Sequence, residues 1–427
     1  MYRIAQVEVD RFRGEADLRV NFHPHANFII GKNGSGKTTF INLLNAVLSV
    51  DLRTIADADF SSARIRLISN HNRARPVIDV EKALHSKGGV ADIKYILRNS
   101  ARSQGQEHLF SGFPAFRRRG SRYASRRYYA EYAAQALALQ NVISEKLNFS
   151  WLSVHRGTIE RTEPLGEYES AVDLKVSEIG NECSRYFAEL STRANEPLDR
   201  FVQEMFLSFI QRPNPRPVYH RRRRLDLDLD HEKHTLQQIF KQFKMEPSRF
   251  LTQLEDHFNR IKEALKREEN DRYSMEDFVL IVTSLHTHEL VEKWENIQKE
   301  IDQIVKPREP FRGIIDSLFG RKQLKIAASG ELSFIIEGKH NDLQLFDLSS
   351  GEKQMLILLG QVLLQRASSA VFLADEPELS LHLEWQADLV RNMLFLNPNC
   401  QLIFATHSPD IVSDKPECAI DMEDVIR

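Results

Sequence analysis

The chain has 427 residues, 42% of them hydrophobic and 28% charged, a globular rather than a disordered balance. Its 58 Lys and Arg nearly cancel its 60 Asp and Glu, for a formal net charge of −2. That excludes a uniformly basic nucleic-acid coat and an acidic tail protein, while leaving room for a local basic face. Three cysteines, Cys183, Cys400 and Cys418, are too few and too scattered for a disulfide framework and fit a reducing compartment.

The first elements read as strands. Tyr2 to Val9 alternates with period two, Leu18 to Phe22 reads as a second short strand, and Asn27 to Ile30 is an apolar run that stops at Gly31. GKNGSGKT follows, Gly31 to Thr38, and then the apolar-periodic helix TFINLLNAVLSV. Strand, glycine loop and helix in this order form the G-x-x-x-x-G-K-[ST] pattern of a nucleotide site. Gly31, Asn33, Gly34, Ser35 and Gly36 let successive backbone N–H groups point into one concavity, and the helix N-terminus adds its positive dipole end. Lys37 is placed to reach the β- and γ-phosphates, Thr38 to offer a hydroxyl to Mg2+, and Thr39 to continue the cradle.

Residues 61–324 separate this half from a second one and are expected to be a mainly helical insertion; the stretch 60–100 shows little pattern of its own. Between Arg98 and Arg127 lie eight arginines against one acid, Glu107. Among them are Arg117, Arg118, Arg119, Arg122, Arg126 and Arg127, with aromatic residues interleaved. Such a cluster suits phosphates and bases, a protein interface or a solvated surface, so contact with DNA or RNA is one of three readings it allows. Glu131 to Leu147 and residues 168–210 read as helices. Arg221 to Arg224 then meet LDLDLD, whose leucines at 225, 227 and 229 fit a short edge strand and whose aspartates at 226, 228 and 230 answer the arginines rather than bind a cation. Thr235 to Ile304 is helical and heavily charged, with Ser274 and Glu276 at a helix start and a Trp294, Ile297, Ile301, Ile304 stripe.

Strands return over residues 325–346. LSSGE at 348–352 opens a helix that runs to Leu364. It fits two readings, a capping box of Ser349 with Glu352 or a second anion-binding helix end. SAVFLADE, Ser369 to Glu376, reads as a buried parallel strand with acids at its C-terminal edge, where Asp375 would hold the Mg2+ shell and Glu376 would position the attacking water. Gln401 to Ala405 is the next strand, with His407 at its tip, near the γ-phosphate. The most apolar stretch, Met355 to Leu364, is about ten residues, half the roughly twenty of a membrane span. The N-terminus carries no apolar leader, so a soluble cytoplasmic protein with no membrane partner is expected.

Taken together, Gly31–Thr38, Leu348–Glu352, Ala370–Glu376, the following ELSLH and His407 resemble, in their order, the ABC-type ATPase heads of the SMC/Rad50/OLD-like class. In particular they resemble stand-alone AAA family ATPases of anti-phage systems. The resemblance covers residues 1–50 and 325–420. It implies an α/β fold, an ABC-ATPase head split by the helical insertion, with residues 1–60 and 325–427 as its two halves. It implies ATP and Mg2+ as cofactors, Glu376 and His407 as catalytic residues, and Thr38 with Asp375 at the metal. It also implies a dimer or higher homo-oligomer, in which Ser349, Ser350, Gly351 and Glu352 complete the site of another copy.

The sequence departs from the family in having LSSGE where LSGGQ is commoner, and in offering no identifiable glutamine for the Mg2+-contacting loop. Many OLD-type nucleases carry a Toprim domain after the head. The residues beyond His407 are too short for one, so Asp421, Glu423 and Asp424 are expected in a solvated tail, and a nuclease or toxin is expected in a separate effector partner. Two functions follow from the resemblance: the ATPase sensor or regulator of an anti-phage complex, or an SMC/RecF-like DNA-repair ATPase acting on DNA itself.

Overall fold

The computed structural model describes residues 2–69, 74–85, 90–100, 103–114, 122–152, 170–208, 210, 228–270, 272, 274–338 and 342–426. The chain forms two compact units, one of Met1–Phe187 with Pro307–Arg427 and one of Ala188–Lys306.

In the first unit, β1 (Arg3–Phe12), β2 (Ala16–Asn21), β4 (Ser62–Ile68), β5 (Val77–His85), β6 (Val90–Arg98) and β7 (Gln106–Pro114) form an antiparallel sheet in the order β2-β1-β4-β5-β6-β7. Alternation drives it: in β4, Ala63, Ile65 and Leu67 are buried while the residues between them are not. A second sheet is parallel, in the order β13-β3-β12-β11-β8. Its strands are β3 (Ala26–Ile30), β8 (Phe149–Leu152), β11 (Val371–Asp375), β12 (Gln401–Ala405) and β13 (Ala419–Asp421). β11 and β12 are buried at every residue, as strands covered on both faces must be.

Helix α1 (Lys37–Ser49) shares one core with both sheets. Phe40, Ile41, Leu43, Leu44, Ala46, Val47 and Leu48 are buried, which leaves only the exposed Thr38 and Thr39 and a narrow half-buried stripe of Asn42, Asn45 and Ser49, as in a helix covered on most sides. Tyr95 of β6 donates its hydroxyl to Val47 O at 3.0 Å, satisfying a polar tip inside that core. α2 (Leu52–Asp57) and α3 (Arg122–Lys146) complete this side.

The remaining elements of the unit are the start of α4 (Ala171–Ser208), α8 (Arg308–Phe319), the β9 (Lys322–Ile326) and β10 (Leu332–Ile336) hairpin, α9 (Ser350–Leu364), α10 (Leu383–Leu396), α11 (Pro409–Val412) and α12 (Met422–Val425). Gly180 of α4 and Gly360 of α9 sit where a Cβ would meet Leu345 at 2.3 Å and Ile179 at 2.5 Å, so glycine permits close packing there.

The second unit is helical: the rest of α4, α5 (Leu229–Gln242), α6 (Pro247–Glu269) and α7 (Met275–Val305). Phe201, Ile239, Trp294 and Ile297 form one cluster, with Ile301 against it, as the stripe predicts. Leu229, Leu254, Phe258 and Ile261 form another. Ser274 caps α7 in a capping box with Asp277, one residue beyond the Glu276 expected from sequence.

The helical part of the expected insertion is the unit Ala188–Lys306; before it, β4 to β7 extend the sheet begun by β1 and β2, and β8 joins the parallel sheet. Leu229 begins a helix instead of ending a strand, since Asp228 caps it by accepting from His231 N–H at 3.0 Å; Leu225 and Leu227 lie outside the described residues. Of the acids expected in a solvated tail, Glu423 and Asp424 are exposed, but the backbone that carries them is tied to the fold. β13 pairs in parallel with β3, and Met422 is fully buried. Among the described residues, no helix is long and apolar enough to cross a membrane.

Candidate nucleotide site

The glycine loop leaves β3 and enters α1 as the sequence predicts. Gly31, Gly34 and Gly36 have φ of +138°, +84° and +101°, values that side-chain-bearing residues rarely adopt. A Cβ on Gly36 would lie 3.0 Å from the Phe12 ring. Lys37 is only 5% exposed, and its Nζ donates to Gly31 O at 2.7 Å and Lys32 O at 3.2 Å, folding the ammonium over the loop. Ser35 Oγ is buried and has no hydrogen-bond partner among the described residues. In a polar loop, such an orphan suits a ligand oxygen. Asn33, Thr38 and Thr39 are exposed.

The second motif meets the first. Thr38 Oγ1 donates to Asp375 Oδ1 at 3.1 Å, across 337 positions of sequence. Asp375 ends β11 and is 3% exposed. Glu376 follows with φ +49°, a left-handed conformation costly for a glutamate, held by its N–H donating to Ala405 O at 2.8 Å. His407, just past β12, is exposed. Hydroxyl and carboxylate oxygens are the hard donors Mg2+ prefers, so Thr38 and Asp375 fit that ion. Among the described residues, no cluster of three His, Cys, Asp or Glu offers a metal centre built from protein alone.

At α9 the capping-box reading holds geometrically. Ser349 N–H donates to Glu352 Oε2 at 2.7 Å and Ser349 Oγ accepts from Glu352 N–H at 3.4 Å. Lys322 Nζ donates to the same Oε2 at 2.7 Å. Burial opposes ionisation of Glu352, but the Lys322 ammonium and the Ser349 amide outweigh it and hold the carboxyl below its usual range. Glu352 is thus committed within its own chain, and Gly351 is buried with Ser380 O 2.6 Å from where a Cβ would be. Of the four signature residues, only Ser349 and Ser350 are exposed.

Three contacts at the site are not legible in the sequence. Arg13 Nη1 donates to Gly34 O at 2.6 Å; its only signal is the Arg13-Gly14 turn, where Arg11 and Arg13 both have positive φ. Glu378, the first residue of ELSLH, accepts from the turn at His407, a contact that the motif does not announce. Lys32 pairs with Glu423 at 3.1 Å, and Asp421 Oδ1 lies 3.3 Å from the Cβ position of Gly31, so the C-terminal residues border the loop. Of the basic cluster, Arg117, Arg118 and Arg119 lie outside the described residues. Arg122, Arg126 and Arg127 belong to α3, with side chains outside the description.

Comparison with known proteins places the chain in a family. Residues 153–413 match the family described as "AAA domain, putative AbiEii toxin, Type IV TA system", and residues 1–94 match an AAA ATPase domain family. The chain is 24% identical over 194 residues to the DNA replication and repair protein RecF of Lactococcus lactis subsp. cremoris (strain MG1363), covering 42% of this chain and 52% of that one. It therefore spans about half the length of that relative. It is 22% identical over 433 residues to the retron Ec83 probable ATPase of Escherichia coli, covering 96% of this chain and 69% of the relative. Among solved structures, the Smc head domain with an extended coiled coil from Pyrococcus furiosus, bound to the C-terminal domain of ScpA, aligns with a TM-score of 0.43 and 15% identity over 97% of this chain and 92% of that chain. The first family match spans more than half of the chain, which belongs to this AAA domain family and is an ATPase.

Proposed function

We propose that the chain binds ATP with Mg2+ at Gly31–Thr38, hydrolyses it, and thereby regulates a separate effector nuclease or toxin in a bacterial anti-phage complex in the cytoplasm. The observation that carries the site is the Thr38–Asp375 hydrogen bond, which joins the two motifs at one point. Loop N–H groups and Lys37 take the phosphates, the ammonium exchanging the Gly31 and Lys32 carbonyls for phosphate oxygens. Thr38 and Asp375 would hold Mg2+, whose charge neutralises the phosphate oxygens. Glu376 orients the attacking water and accepts its proton, and His407 lies on the γ-phosphate side. Ser349 and Ser350 reach the nucleotide of a second copy, with Gly351 and Glu352 shaping the turn that presents them.

The regulatory role draws support from the toxin–antitoxin description of the family and from the retron ATPase relative. The RecF relative favours a second reading, an ATPase acting on DNA directly. ATP turnover by the wild type and by Glu376→Gln tests the enzyme: a loss of about a hundredfold or more with nucleotide still bound is expected, and intact turnover would remove Glu376 from the role. Co-purification with an effector separates the first role from the second, in which DNA binds without one.

A further inference from the structure

The loop leaving β11 carries the carboxylate of Glu378, whose Oε1 accepts three hydrogen bonds from the turn leaving β12. The donors are Thr406 Oγ1 at 2.7 Å, His407 N–H at 2.8 Å and Ser408 N–H at 3.2 Å. Oε2 is buried and has no partner among the described residues. A second tie runs through α10: Ser408 Oγ donates to Gln386 Oε1 at 2.6 Å, and Gln386 Nε2 donates to Leu381 O at 2.9 Å. On its far side the loop is stopped by Gly351, whose Cβ position lies 2.6 Å from Ser380 O.

Sinking a carboxylate between two loops is costly unless its oxygens are well bonded, and charge-assisted bonds to backbone N–H groups are the strong kind. Water could satisfy the amides of His407 and Ser408 in an exposed turn. Here a carboxylate does so instead, two residues from Glu376, and it locks the two loops that carry the proposed catalytic side chains.

We propose that Glu378 is a positioning residue for ATP hydrolysis: it clamps the His407 turn to the Glu376 loop, so that the two side chains face the γ-phosphate at one fixed spacing. This rests on the ATPase site proposed above and deepens it. The acceptor oxygen does the clamping, so Glu378→Gln, which keeps a carbonyl oxygen for the three donors, separates geometry from charge.

The test measures steady-state ATP turnover, binding of a non-hydrolysable ATP analogue and backbone hydrogen exchange in the full chain. Glu378→Ala is expected to lose about tenfold or more in kcat while KM and analogue binding stay within about twofold. Glu378→Gln is expected to recover most of kcat. In Glu378→Ala the amides of His407 and Ser408 lose protection while those of α1 keep theirs. Thr406→Val, which removes a single donor and keeps the shape, is expected to show a smaller loss of kcat in the same direction, and serves if the alanine variant folds poorly.

Unchanged kcat in a less stable Glu378→Ala protein would reduce the clamp to a structural contact and overturn the proposal. So would loss of analogue binding in step with kcat, or a glutamine variant as slow as the alanine one. The underlying reading fails separately, through a wild type without turnover or a Glu376→Gln variant that keeps it.

Discussion

Asp173, in the first turn of α4, holds the ammonium of Lys353 on α9 at 2.7 Å, and both side chains are largely buried. The Lys353 bond, with help from Ser170, keeps the Asp173 carboxyl below its usual range against the effect of burial. The pair pins the helix that begins with the signature serines. Asp173→Ala leaves Lys353 with a charge and no partner, so a loss of about 1–3 kcal/mol is expected in denaturant titration. An unchanged midpoint would mean that the pair contributes nothing.

If Thr38 and Asp375 hold Mg2+ as proposed, the metal dependence of nucleotide binding is local to their contact. Thr38→Ala is expected to weaken the Mg2+-dependent part of ATP affinity and to leave the affinity measured in EDTA nearly unchanged. Titration calorimetry with and without Mg2+ reads both. Equal losses in the two conditions would place Thr38 on the phosphates alone.

Gly351 has no room for a methyl group, because the obstacle is a backbone oxygen, that of Ser380. Gly351→Ala should therefore push the loop of residues 376–382 away and cost about 1–3 kcal/mol, the usual range for overpacking. Thermal unfolding checks the stability, and ATP turnover should fall with it because the displaced loop carries Glu376. A variant as stable and active as the wild type would contradict the close approach.

In the helical unit, the Arg267 guanidinium and the Ser274 amide hold Asp277 down at about 2. A carboxyl lowered in the folded state stabilises the fold above its unfolded value near 3.9 and loses that contribution as pH falls toward 2. Asp277→Asn is thus expected to lower the unfolding midpoint at pH 7, and the gap to the wild type should narrow between pH 4 and pH 2. Circular dichroism melts across that range measure it, and a gap constant with pH would argue against an ionic origin.

The burial of Met422 turns the C-terminal residues into part of the core. Met422→Ala is expected to destabilise by about 2–5 kcal/mol, as large-to-small changes in cores do. A solvated tail would lose nothing measurable.

Much of the candidate site was legible because its motifs are local. Gly31 to Thr38 need only their own spacing to form a loop, and Asp375 and His407 sit at the ends of apolar runs that read as buried strands. The strands β4 to β7 alternate in sequence without carrying a motif, and their apolar residues become a core face only once β4 pairs with β1. Glu378 opens the ELSLH segment that carries part of the resemblance, but its partners are not legible until the turn at residues 406–408 is brought to it by the pairing of β11 with β12.

The sequence alone determined the local pattern: a glycine loop of the phosphate-binding type, acids at a strand end, an amphipathic helical segment and a near-zero charge that hides an arginine-rich stretch. These depend on spacing over a few residues, where the periods of helix and strand are fixed by backbone geometry. Tertiary structure decided which distant residues became partners: Thr38 with Asp375, Arg13 with Gly34, Glu352 with Lys322, Glu378 with His407, and β13 with β3. Those pairings follow from strand order and from which buried groups must be hydrogen-bonded once the sheets close over α1, and neither is set by any short stretch of chain.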